Sequence, residues 1–98
     1  MILTNKAKED FKEWVFENYY FQDLNVLYPL HLIDALIIEW FDSVGIYIEI
    51  IRNEGSFDYV VGERWDYGFD TRQDATTQAI KKANEIYNVQ YYKQKQAK

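Results

Sequence analysis

His31 and Asp34 stand three residues apart, with Glu39 and Asp42 downstream. Imidazole and carboxylates at such spacing are the raw material of a cation site, which needs several oxygens converging on one point. On one helix, however, Asp34 and Glu39 point about 140° apart, and His31 reads as a polar residue at a helix start. Asp66, Asp70 and Asp74 recur at four-residue intervals, but they straddle a strand-to-helix junction and share no helical face. Asp74 is better employed as the capping partner of Thr71. Ser43 and Ser56 have no base close in sequence, so nucleophilic catalysis would fall to His31 alone. The chain has no cysteine, which excludes a disulfide framework, a thiolate zinc site and a cysteine nucleophile. Its four glycines are scattered among turns and form no phosphate-cradling loop. This inventory predicts no catalytic residue, no metal site and no cofactor, hence a non-enzymatic protein.

Nucleic-acid binding has one candidate surface. Lys81 and Lys82, followed by Tyr91, Tyr92, Lys93 and Lys95, combine cations with rings able to stack on bases. The overall field opposes it: 16 acidic against 11 basic residues give a net charge of −5. Residues 1–33 carry three Lys and five Asp/Glu, net −2; residues 34–74 carry three Arg and ten Asp/Glu, net −7; residues 75–98 carry five Lys and one Glu, net +4. Phosphate binding needs a positive field, so direct nucleic-acid binding is the secondary reading.

These side chains must be positioned by a single small domain, since 98 residues leave no chain for a second core. With 48% hydrophobic and 18% aromatic residues, the composition is that of a folded protein. Ala7, Phe11, Trp14, Val15 and Asn18/Tyr19 mark one face of a first helix over Lys6–Tyr19, capped by Thr4 or Asn5. Tyr20–Tyr28 reads as an aromatic-rich connector. Pro29 suits the first turn of a second helix, with Ile33, Leu36, Ile37, Trp40, Phe41 and Val44 at helical spacing and Gly45 at the C-terminal cap. Thr71-Arg72-Gln73-Asp74 opens a third helix with an apolar stripe of Ala75, Ala79, Ala83, Ile86 and Tyr87. We expect one compact domain over 1–90 and a basic, frayed tail over 91–98.

Between the second and third helices, strict alternation predicts three strands. Ile46, Ile48 and Ile50, then Phe57, Tyr59 and Val61, then Trp65, Tyr67 and Phe69 would line the core face. Matching the parity of opposed residues predicts a four-residue turn, Arg52–Gly55, and a three-residue turn, Gly62–Arg64. Glu49 then lies opposite Asp58, and Val60 opposite Asp66, on the outer face. The fold class is α+β, in the order α-α-β-β-β-α, with a three-stranded antiparallel sheet and helices packed on one face.

The expected outer face has an apolar centre of Tyr47, Ile51 and Val60 ringed by Glu49, Asp58 and Asp66. A like-charge pair of Glu49 and Asp58 opposes stability, and a basic partner surface relieves it. We therefore take Tyr47, Glu49, Asp58, Val60 and Asp66 as the candidate partner-binding residues, with Asp34, Glu39 and Asp42 next.

The order of strands and last helix resembles the double-stranded-RNA-binding domain. That family places lysines at the start of its last helix, whereas here Thr71-Arg72-Gln73-Asp74 offers one cation and one acid, so the resemblance does not imply the activity. The run Pro29–Gly45, ending Trp40-Phe41-Asp42-Ser43-Val44-Gly45 and followed by Ile46-Tyr47-Ile48-Glu49-Ile50, resembles small proteins of phages and mobile elements from Bacteroidetes. So does Phe69-Asp70-Thr71-Arg72-Gln73-Asp74-Ala75 through Ala79, Ala83 and Ile86-Tyr87-Asn88. This similarity covers roughly two-thirds of the chain and speaks to lineage; activity follows only by analogy. Proteins of that class and size are often inhibitors of host defence, anti-CRISPR proteins above all, and many present acidic surfaces to basic RNA or DNA channels. The resemblance thus implies an inhibitor that binds the basic surface of a host protein or ribonucleoprotein effector, with RNA-targeting type VI CRISPR nucleases as the candidate target.

The alternatives are a small RNA- or DNA-binding module built on the last helix and tail, and a homodimeric accessory protein that buries its outer sheet face. The start Met1-Ile2-Leu3-Thr4-Asn5-Lys6 runs into charge without the apolar core of a signal peptide. The longest charge-free run of the apolar middle segment, Leu24–Ile33, is too short to span a bilayer. The expected setting is the host cytoplasm, without membrane contact.

Overall fold

The computed structural model describes residues 2–19 and 30–96, with side chains described except at 30, 31 and 92–96. The expected connector Tyr20–Tyr28, Pro29, and the side chains of His31, Tyr92, Lys93 and Lys95 lie outside the described residues. The order is α1 (Asn5–Tyr19), α2 (Leu30–Ser43), β1 (Ile48–Asn53), β2 (Ser56–Val61), β3 (Arg64–Phe69) and α3 (Arg72–Gln96). The strands form one antiparallel sheet in the order β1-β2-β3, giving the expected α+β fold.

The helices are amphipathic where the spacing places their apolar residues. Ala7, Phe11 and Val15 of α1, and Ile33, Leu36, Ile37, Trp40 and Phe41 of α2, are buried in one cluster with Tyr59 and Val61 of β2. Val44, expected in that stripe, is exposed because α2 has already ended. Its end is a Schellman motif: the Ile46 amide donates to the Phe41 carbonyl at 2.9 Å and the Gly45 amide to the Asp42 carbonyl at 3.2 Å. Ile46 is therefore a buried residue of the cap, and β1 starts only at Ile48.

Helix α3 is the hub. It packs across all three strands and against both other helices, and its alanine stripe explains how. Ala75, Ala79 and Ala83 are fully buried beside Ile80, so the helix backbone approaches its neighbours closely. The Thr71 hydroxyl caps it, accepting from the Asp74 amide at 3.0 Å. The helix runs through Gln96. Near its end the Lys6 ammonium of α1 sits 5.1 Å from the centre of the Tyr91 ring.

Helix α1 takes its cap from a distance. Two asparagines one turn apart on α3 serve its first turn: Asn84 Oδ1 accepts from the Thr4 amide and Asn88 Oδ1 from the Ala7 amide, both at 2.9 Å. The Asn84 amide group in turn donates to Thr4 Oγ1 at 3.1 Å. The local cap expected from Thr4 or Asn5 is thus replaced by one that also fixes where α1 lies on α3.

Candidate docking face

Both hairpins close more tightly than their parity required. The β1–β2 turn is the two-residue Glu54-Gly55 (φ 43° and 85°), a geometry that suits the twist of the strands. Asn53 then pairs with Ser56, Ile51 with Asp58 and Glu49 with Val60. The shift is two residues from the expected register, so every side chain keeps its face, but Glu49 no longer opposes Asp58.

The β2–β3 hairpin changes faces as well. Its turn is Gly62-Glu63, and Val61 pairs with Arg64, Val60 with Trp65 and Tyr59 with Asp66. That register turns Trp65 outward, beside Val60, and Asp66 to the inner side, beside Tyr59. Phe57 nonetheless pairs with Phe69, which packs on the core. The parity is restored by a bulge that sets Tyr67 and Gly68 against Asp58 alone. Gly68 has a φ of 87°, a conformation costly for any side chain.

The expected core face is therefore corrected at two positions. Trp65 and Tyr67 are exposed, at 58% and 74%, while Phe69 is inside. Asp58 is corrected in the opposite sense: it is 2% exposed and unable to meet a partner. Its carboxylate accepts from the Gly68 amide at 3.3 Å and from Asn53 Nδ2 at 3.4 Å, serving the donor that the bulge frees from the ladder.

Three rows of side chains result on the outer face. Tyr47, 66% exposed, begins it just before β1. Glu49, Val60 and Trp65 form the middle row, and Ile51, Asp58 and Tyr67 the next. Val60 and Ile51 are half-buried between the exposed rings. Each of the described helices contributes to the core on the opposite side. Of the eight residues expected to bind a partner, Tyr47, Glu49 and Val60 come together here. Asp66 is exposed on the other face, where its amide neighbour Tyr67 donates to Oδ1 at 2.9 Å. Asp34, Glu39 and Asp42 belong to α2. Asp34 accepts from Gln73 Nε2 at 3.0 Å, and the Glu39 carboxylate from the Tyr19 hydroxyl at 2.7 and 2.8 Å, a bond that raises the Tyr19 pKa. Both carboxylates thus have partners within the fold, and Asp42 is exposed near the end of its helix.

Trp65 and Tyr67 are the site residues that sequence reasoning misplaced. Gly68 was the available signal, since a glycine inside an alternating run marks a bulge.

The candidate nucleic-acid surface does not assemble to the same degree. Lys82 pairs with Glu85 at 2.9 Å, the Tyr91 ring lies against Lys6, and Lys81 is exposed. On the α1–α3 seam, the Tyr87 hydroxyl donates to Asp10, which pairs with Lys6 at 3.1 Å. Burial first, then that bond, raises the Tyr87 pKa well above its ordinary value. Among the described residues no group of carboxylates or histidine is placed to hold a metal ion, and no helix is long and apolar enough to cross a membrane. No family model, curated protein or solved structure matches the chain.

Proposed function

We propose that the chain is a non-enzymatic binding protein that docks the outer face of its sheet on another protein, and that its partner is a host nucleic-acid-handling enzyme, which it inhibits. The observation that carries the docking reading is the exposure of Tyr47, Trp65 and Tyr67 together on one sheet face. Tryptophan and tyrosine are enriched among the few residues that dominate binding energy at protein interfaces, and leaving three such rings in water does nothing for the fold. The identity of the partner as an RNA-guided effector, the type VI class included, rests on the resemblance to small phage proteins of Bacteroidetes.

The test is inhibition of purified RNA-guided, RNA-cleaving nucleases by the protein and by a Trp65→Ala/Tyr67→Ala variant. The proposal expects the wild-type chain to suppress cleavage and the variant to lose at least about tenfold in potency. Inhibition that survives the double substitution would remove the sheet face from the mechanism. No inhibition of any such nuclease would remove the effector as partner.

A further inference from the structure

The described residues of the sheet keep their cations to one face, while acids lie on both. The only cations between residues 34 and 74 are Arg52, Arg64 and Arg72, and all three lie on the inner side. Arg52 pairs with Phe57 and Arg64 with Val61, whose row faces the helices. The Arg72 guanidinium sits 5.2 Å from the centre of the Phe57 ring, and Arg64 lines a shallow groove with Lys82 and Glu85 of α3. Among the described residues the outer face has no cation. It carries exposed Glu49 within the sheet, and exposed Glu54 occupies the β1–β2 turn, while Glu63 lines the α3 groove with Arg64.

From this we infer that the outer face recognises arginine or lysine side chains of a partner protein, seating a cation on Val60 between the Glu49 carboxylate and the ring of Trp65, with Tyr47 alongside. The inference rests on the docking reading above and adds the chemistry of the occupant. Glu49, Val60 and Trp65 form one cross-strand row. Neighbouring strands lie about 4.8 Å apart, so Glu49 and Trp65 are roughly 10 Å apart across Val60. A long cationic side chain fills that gap with its stem on Val60, its charge against the carboxylate and its face on the indole. An RNA strand could stack on the same rings, but its phosphates would meet carboxylates and no cation. A second copy docking through this same face would bring the same carboxylates and, among the described residues, no cation.

The experiment uses the full chain with its three tryptophans replaced by 5-fluorotryptophan and read by fluorine NMR. Trp40 is buried and Trp14 half-buried, so the Trp65 signal reports the face. The probes are a short peptide alternating arginine and glycine, the same peptide with glutamine for arginine, and a uridine oligonucleotide. The arginine peptide is expected to move the Trp65 signal and the glutamine peptide to leave it in place. Glu49→Lys should weaken the arginine peptide about tenfold. Glu13→Lys, the same charge change at an exposed site on α1, should weaken it less than about twofold, since separated surface charges are screened. Equal binding of the glutamine peptide, an equal effect of the two charge reversals, or an unmoved Trp65 signal would overturn the inference. A Trp65 response to the oligonucleotide alone would give the face to nucleic acid, and a shift with protein concentration alone would give it to a second copy. If the arginine peptide fails while nuclease inhibition still depends on Trp65 and Tyr67, the docking reading stands and only the cationic occupant falls.

Discussion

On its inner face the sheet presents Tyr59 and Val61 of β2 to α3, and both are buried; on its outer face the neighbouring strand β3 holds Trp65 and Tyr67 in water. Both faces carry aromatic and β-branched side chains, so apolarity alone does not distinguish them. What does is the partner each meets. The inner rings pack on one another, Tyr59 against Phe69 with centroids 5.7 Å apart, and on a helix whose alanines let it come close. The outer rings stand beside half-buried Ile51 and Val60, between a two-residue turn whose register points Trp65 outward and a bulge that returns Phe69 to the core. One face is packed by the helices, and on the other the described rings are exposed. Substitutions should therefore separate stability from binding according to face.

The largest stability effect is expected on the inner face. Tyr59→Ala removes a buried ring from the centre of the sheet and should cost about 3–5 kcal/mol, as large-to-small changes in cores do. Urea denaturation checks it; a loss below about 1 kcal/mol would mean that the inner face is not the packed one. The next effect belongs to Asp58, which sits on the outer face but serves the fold. Asp58→Ala leaves the Gly68 amide without its acceptor and should cost about 1–3 kcal/mol, whereas Asp58→Asn retains an acceptor and should cost less. A variant reversing Asp58 to lysine together with Glu49 would report this damage as well as binding, so Glu49 is the residue to reverse.

The inner face was legible in the sequence because its rule is local: a 3.6-residue period in the helices and a two-residue period in β1 and β2 point at one core. Ile48, Ile50, Tyr59, Val61 and Phe69 all lie where alternation places them. The capping of α3 by Thr71 and the closure of α2 at Gly45 were legible for the same reason, since each is encoded within a few residues. The outer face was legible only in part. Alternation has no way to register an inserted residue, so reading Trp65, Tyr67 and Phe69 as one stripe carried the parity of Phe69 back through Gly68. The burial of Asp58 followed from that bulge and was hidden with it. The capping of α1 by Asn84 and Asn88 was out of reach altogether, because it joins residues some 80 positions apart and leaves no periodic trace.

The α1–α3 seam gives a third, smaller effect, with a pH signature. Tyr87 is held protonated by burial and by the Asp10 carboxylate, so its folded pKa lies above the unfolded value of about 10. The native state then binds the phenolic proton more tightly than the unfolded chain. The resulting stability is present in full below about pH 10 and is lost as the pH rises through that value towards the folded pKa. Tyr59, raised mainly by burial and next by the charge of Asp66, acts in the same direction. Stability measured by urea denaturation should fall as the pH rises above about 10, and Tyr87→Phe should make that fall shallower while costing about 1 kcal/mol at neutral pH. An unchanged slope in the variant would show that the Tyr87–Asp10 bond is not maintained in solution.

The smallest stability effect is expected where the largest binding effect is. Trp65→Ala and Tyr67→Ala remove rings that are mostly in water, and substitutions at such positions stay within about 0.5 kcal/mol. Strand propensity argues for a slight loss, since aromatic residues favour strands; release of exposed apolar surface argues for a slight gain in solubility. Neither approaches the cost at Tyr59, which lies on the adjacent strand of the same sheet. If either outer substitution destabilises the protein by more than about 2 kcal/mol, its ring is part of the core after all, and the bulge at Gly68 does not direct β3 as described. If both are neutral for stability and both abolish inhibition, the two faces differ in role as well as in burial, and the bulge is the feature that created the second role.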